Sequence, residues 1–291
     1  MDLVYCVHLD TPAEDVAMLD ELLATLDLIG ASWQNVDTGE AWLRVFADDE
    51  AAARDILARV QAALPGWGEL LSTLPVPTVR AIQREDWAEC WKEFFHAFRA
   101  SRRLVVKPSW ETFAPAGKED ILLELDPGMS FGTGYHGTTR ACLEFIDDLA
   151  AERGPVPFLE AGCGSGILSL AAVRLGLTPV AAFDHDPQAV QCARENLARA
   201  GVDQVAPVTA ELADYAPPAP FAVVAANILA IVLDAQAETV ARLVAPGGHL
   251  ILSGILTGQY PAIKTRYEAL GFRELRTRTI DEWTSGLYRR P

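Results

Sequence analysis

Short apolar-rich runs and longer runs with three- and four-residue spacing alternate from the start of the chain. Leu3–His8, Ala31–Val36 and Ala41–Phe46 predict strands, and Pro12–Leu26 and Asp49–Leu64 predict amphipathic helices. Asp37-Thr38-Gly39-Glu40 supplies a hairpin-type turn between the second and third strands, and Glu69–Leu74 predicts a final short strand. The order β-α-β-β-α-β is a ferredoxin-like α+β arrangement.

The pattern then changes. Arg84 to Lys92 has helical spacing, with Trp87 and Trp91 on one face, and predicts packing in an interdomain seam. Leu104–Val106 and Ile121–Asp126 predict strands, followed by a long loop and a helix from about His136. From Pro157 onward strands alternate with helices. The strands fall at Phe158–Ala161, Val180–Asp184, Val205–Thr209, Val223–Asn227 and His249–Ser253. Helices fall at Leu168–Leu175, Pro187–Ala200, Leu229–Val244 and Pro261–Leu270. Such alternation builds a doubly wound, Rossmann-like α/β sheet, with its ligand crevice at the carboxyl ends of the strands. Arg273–Thr277 and Glu282–Tyr288 predict a closing hairpin. The expected division is a ferredoxin-like substrate-recognition domain over 1–75, a helical linker over 76–115 and the α/β domain over 116–291.

Charge sharpens that division. Residues 1–75 hold fourteen acids and three bases, residues 76–110 seven bases and four acids, within a total of −16. A chain so acidic is a poor match to a phosphate backbone, so no direct nucleic-acid partner is expected. The acidic amino-terminal module suits a basic protein partner. Its N-terminus lacks a basic-then-apolar signal layout, and Phe221–Leu233 is too short to span a bilayer, so a soluble, cytoplasmic, monomeric protein without membrane contact is expected. Five scattered cysteines without a C-x-x-C pair, and five dispersed histidines, give neither a disulfide framework nor a metal site.

The chemistry concentrates at strand ends. Phe158-Leu159-Glu160-Ala161 runs into Gly162-Cys163-Gly164-Ser165-Gly166 and then a helix. Glycines allow close approach of a ligand, and a helix start offers amide donors. The third glycine arrives one residue too early for the dinucleotide pattern G-x-G-x-x-G, which opposes a nicotinamide enzyme. Asp184, at the end of the next strand, is placed to accept the two hydroxyls of a ribose. Asp186 is the expected N-cap of the helix begun by Pro187. Asn227 ends the fourth strand in an apolar run, where an amide needs a partner. It lacks the Asn-Pro-Pro-Tyr context of base- and glutamine-directed methyltransferases.

Upstream stands Phe131-Gly132-Thr133-Gly134-Tyr135-His136-Gly137-Thr138-Thr139. Together with Glu85-Asp86-Trp87, the glycine loop, Asp184-His185-Asp186-Pro187 and Ala226-Asn227-Ile228-Leu229, this run resembles the PrmA family, class I methyltransferases of the large-subunit ribosomal protein numbered eleven. The resemblance extends from about Glu85 to Tyr288. Glu160, where many relatives have Asp, and Gly137 depart from it. It implies S-adenosylmethionine as cofactor, S-adenosylhomocysteine as product, and a basic ribosomal protein as substrate, methylated on lysine side chains, the N-terminal α-amine or both. Thr139, Gly162, Gly164, Asp184 and Asn227 are the implied cofactor contacts, and the Phe131–Thr139 loop a cover over them. Its four glycines, Gly128, Gly132, Gly134 and Gly137, suit a lid. For catalysis the candidates are Asn227, its side-chain or backbone carbonyl accepting an amine hydrogen, and His136, the only base by position, for which a structural role ranks higher. Thr138 and Thr139 also suit a helix N-cap.

Overall fold

The computed structural model describes residues 3–26, 28–34, 40–47, 49–68, 70–83, 96–113, 117, 119–125 and 136–291. The chain divides into two compact units, Met1–Phe94 and Phe95–Pro291.

In the first unit β1 (Leu3–Pro12), β2 (Gly30–Gln34), β3 (Glu40–Ala47) and β4 (Thr78–Gln83) form a sheet of order β2-β3-β1-β4 with antiparallel neighbours. Helices α1 (Val16–Ala24) and α2 (Glu50–Trp67) complete the ferredoxin-like order. Leu19, Leu23, Val60 and Trp67 of the helices share one core with Val7, Leu9, Leu43 and Val45 of the strands. Each such fully buried aliphatic side chain contributes roughly 1.5–3 kcal/mol relative to exposure. The side chain of Asp49 caps α2, accepting from the Ala52 N–H at 2.8 Å.

Of the strand expected at Glu69–Leu74, the described residues 70–74 form none, and Thr78–Gln83 takes its place. Helix α2 runs through Pro65 to bury Trp67, and the following loop is held by Asp15. That buried carboxylate accepts from the Ser72 N–H, the Ser72 hydroxyl at 2.7 Å and the Thr73 N–H. The Ser72 hydroxyl is the main cause of its lowered pKa. Pro75 and Pro77 have no N–H to give, so the ladder begins only at Thr78. The helical linker expected over 76–115 is therefore interrupted by β4, and also by two strands of the second unit. The Asp37–Glu40 turn, apart from Glu40, and the Arg84–Lys92 pattern lie outside the described residues.

The second unit begins with a small sheet of β5 (Phe98–Arg99), β6 (Leu104–Lys107) and β7 (Ile121–Glu124). Its main sheet contains β8 (Phe158–Ala161), β9 (Val180–Asp184), β10 (Val208–Thr209), β11 (Phe221–Asn227), β12 (Val244–Ser253), β13 (Arg273–Ile280) and β14 (Trp283–Arg289) in the order β10-β9-β8-β11-β12-β14-β13. Strands β8 to β12 are parallel, and the β13–β14 hairpin is antiparallel, turning at Asp281 with φ of 53°. Helices α3 (Gly137–Arg153), α4 (Ile167–Arg174) and α5 (Pro187–Arg199) contribute to the core cluster on one face. Helices α6 (Ala230–Ala235), α7 (Ala237–Leu243) and α8 (Tyr260–Ala269) contribute to the other. Strand β8 feeds both layers, with Phe158 in the first core and Leu159 and Ala161 in the second. The single helix expected over Leu229–Val244 is two, broken at Gln236, whose φ and ψ are −110° and 21°. Strand order reverses between β8 and β11, which places the crevice where their carboxyl ends diverge.

Candidate functional site

Strand β8 ends at Ala161, and Gly162 follows with φ of 76°. A Cβ at Gly162 would overlap the Ile228 side chain. Gly254, just past β12 with φ of 80°, meets the same residue from the other side, where a Cβ would overlap the Ile228 carbonyl oxygen. Ile228, which follows Asn227, is thus seated between two glycines, its side chain against Gly162 and its backbone against Gly254.

Two carboxyl groups organise the glycine loop. Asp184, 7% exposed at the end of β9, accepts from the Gly164 N–H at 2.9 Å through Oδ2 and from the Asp186 N–H at 3.1 Å through Oδ1. His185 Nδ1, on an exposed ring, lies 3.1 Å from the same Oδ1. Asp186 caps α5, accepting from the Gln188 N–H at 2.8 Å. A cleft of about 720 Å³ opens here, lined by Gly164, Asp184, His185, Pro187, Gln188 and Cys192.

Glu160, one residue before the end of β8, is the second. It accepts from the Ser169 N–H at 2.9 Å and from the Ser169 hydroxyl. The Ser169 N–H near the start of α4 therefore goes to the protein's own carboxyl group, rather than standing open to a ligand as the sequence suggested. Burial pushes the Glu160 pKa up to about 8, against the opposing pull of Ser169. Its folded pKa exceeds the unfolded one, so the native state holds a proton that the unfolded chain releases. That stability is full below the unfolded value of 4.5 and declines as pH rises towards 8. We expect the native protein to lose up to about 1.4 kcal/mol per pH unit in this window from this group. Glu160→Gln should flatten the slope, as read from urea unfolding at several pH values, and an unchanged slope would contradict the assignment.

The third component is the start of α3. His136 is its N-cap: ring Nδ1 lies 2.7 Å from the Thr138 hydroxyl and accepts from the Thr138 N–H at 3.4 Å. The ring packs against Trp283 at 4.9 Å between centroids, and burial lowers its pKa. The cap expected of Thr138 or Thr139 is therefore made by His136. Both threonines are fully buried within the first turn. Gly137, expected in a lid, is the first residue of α3 and packs on Ile280. The rest of the expected cover, Phe131–Tyr135 with Gly128, Gly132 and Gly134, lies outside the described residues.

Thr139 and Asn227, eighty-eight residues apart in sequence, meet: Asn227 Nδ2 donates to Thr139 Oγ1 at 3.4 Å. Asn227 Oδ1 is buried and has no hydrogen-bond partner among the described residues. Two residues absent from the sequence-based reading hold this pair in register. Ser253, opposite Asn227 in the β11–β12 ladder, donates to the Thr138 carbonyl at 3.1 Å and bonds to the Ser285 hydroxyl at 2.7 Å. Ser253-Gly254 repeats the strand-end–glycine pattern of Ala161-Gly162, and that was its available signal. Among the described residues no group of His, Cys, Asp or Glu is placed to hold a metal ion.

The arrangement suits a nucleoside with a positively charged sulfur. Gly164 and Asp184 line the cleft, where Asp184 presents a carboxylate, and Asn227 Oδ1 is an acceptor in want of a donor. Comparison with known proteins points the same way. The chain is 39% identical to a ribosomal protein L11 methyltransferase of Geobacter metallireducens, over 97% of this chain and 96% of that one. It is 47% identical to the protein of the same name from Geobacter sulfurreducens, over 74% and 70%. The crystal structure of a ribosomal protein L11 methylase from Lactobacillus delbrueckii subsp. bulgaricus superposes with a TM-score of 0.60 at 31% identity, covering 68% of this chain and all of that one. The model of the family described as ribosomal protein L11 methyltransferase (PrmA) matches residues 9–290, and the chain belongs to that family.

Proposed function

We propose that the protein transfers methyl groups from S-adenosylmethionine to amines of ribosomal protein L11: lysine side chains, the N-terminal α-amine or both. The observation that carries this is the orphaned Asn227 Oδ1 at the carboxyl end of β11. In this reading Gly162, Gly164, Asp184 and Thr139 would hold the cofactor, which supplies an electrophilic methyl group, and Asn227 serves the incoming amine. Asn227 Oδ1 accepts a hydrogen from the incoming amine and aims its lone pair, so catalysis is mainly positioning. A free lysine, with a pKa of roughly 10.4, must first shed its proton, and desolvation in the site favours the neutral amine. His136 acts through Thr138 and α3 as a positioning residue.

The acidic first unit supports a docking role towards a basic substrate. The reading places the protein in the cytoplasm, as a monomer without direct nucleic-acid or membrane contact. No helix among the described residues is long and apolar enough to cross a membrane. Incubating the purified protein with S-adenosylmethionine and ribosomal protein L11 should add whole methyl increments to the intact mass of the substrate. No mass gain would refute the proposal.

A further inference from the structure

The chain carries 24 lysines and arginines against 40 acids. Six of those 24 bases, Arg99, Arg102, Arg103, Arg140, Arg276 and Arg278, gather around one cleft of about 460 Å³ beside α3. Four of them line it, with two acids, Glu144 and Asp148, giving a lining of net charge +2 in a chain of −16.

One wall is the β5–β6 loop, and it is rigidly built. Asp147 of α3 is buried and binds the loop four ways. It accepts from the Ser101 hydroxyl at 2.6 Å, the Arg103 N–H at 3.0 Å and Arg103 Nε at 2.6 Å, and its carbonyl accepts from Arg103 Nη2 at 3.0 Å. These bonds keep the carboxyl below the usual range despite burial. The loop so pinned presents Arg102, whose guanidinium has no hydrogen-bond or ion-pair partner among the described residues. The other wall is α3 with β13. There Arg278 takes Glu144 at 2.9 Å and Arg276 takes Asp148 at 2.6 Å, leaving Arg140 only a 4.0 Å approach to Glu144. Arg99 is spent on Asp120, at 2.9 and 3.0 Å. The free capacity is therefore Arg102 and Arg140, on opposite walls.

We propose that this cleft binds a compact diphosphate, as inorganic pyrophosphate or as the diphosphate of a nucleotide. Guanidinium forks match phosphate oxygens in bidentate fashion, and a diphosphate spans two walls where a single carboxylate does not. Holding like charges together without a counterion is unfavourable, and a multivalent anion relieves it. A long polyanion would meet the field of the acidic chain within about 8 Å, so the ligand is small.

Calorimetry on the full chain saturated with S-adenosylhomocysteine, which keeps nucleotides out of the methyl-donor cleft, tests this with pyrophosphate, ADP and a hexaglutamate peptide. Pyrophosphate and ADP should bind, and Arg102→Gln/Arg140→Gln should weaken both roughly tenfold or more. Arg102→Gln alone, at an exposed and unpartnered position, serves as the fold-neutral variant and should show part of the loss. Equal affinities identify the diphosphate alone as the ligand; a tighter ADP identifies a nucleotide. No binding, binding indifferent to both variants, or tighter binding of hexaglutamate would each overturn the proposal.

Discussion

Asn227→Ala is expected to lower kcat for methylation about a hundredfold while leaving the affinity for S-adenosylhomocysteine nearly unchanged. The side chain is held from both ends. Its amide nitrogen donates to Thr139, and the following Ile228 is confined between Gly162 and Gly254. The oxygen that remains is an acceptor with a fixed position, and alanine removes it without disturbing the glycine cradle. Asn227→Asp separates geometry from charge. The oxygen is retained, but a carboxylate beside the amine raises the amine pKa and favours the unreactive ammonium. The aspartate variant should therefore regain activity relative to the native protein as pH rises, whereas the alanine variant should keep its deficit. Single-turnover rates across pH, with cofactor affinity measured separately, check both. A large loss of cofactor affinity in Asn227→Ala would reassign the residue to binding, and an undiminished kcat would remove it from the site.

The parts of this architecture legible in the sequence are those decided locally. Phe158–Ala161 and Val180–Asp184 are read to the residue, because short buried runs in a parallel sheet are bounded by Pro, Gly or Asp. Asp186 as a cap before Pro187 was equally local. The misreadings have a common cause in partners far away in sequence. Nothing near Ser72 announces that Asp15 claims its amide, and so the loop before β4 read as a strand. Gly137 read as part of a mobile loop because its partner, Ile280, lies on the closing hairpin. Ser253 and Ser285 gain meaning only when β12 and β14 pair. Nor does the sequence of the glycine loop show that its donors are partly used internally, by Glu160 and Asp184.

That internal use of donors separates the two substitutions at Asp184. Its carboxylate has two duties: it holds the loop through the Gly164 N–H and presents lone pairs towards the cleft. Asp184→Asn keeps an acceptor for Gly164, but it turns an amide NH2 towards the Asp186 N–H and loses the charge that strengthens bonds to ribose hydroxyls. Charge-assisted bonds contribute about 1.5–3 kcal/mol, so affinity for S-adenosylhomocysteine should fall roughly tenfold or more. Asp184→Ala loses both duties. The Gly164 and Asp186 amides are left without their acceptor, at about 1–3 kcal/mol for each that stays buried, and the loop no longer holds its approach to the ligand. Affinity should then fall about a hundredfold, together with a larger drop in Tm than the asparagine variant shows. Calorimetry and thermal unfolding on the same preparations distinguish the cases. If both variants bind like the native protein, the carboxylate does not touch the nucleoside. If Ala and Asn lose affinity equally with no change in Tm, Asp184 contacts the ligand but does not support the loop, and the glycines stand without it.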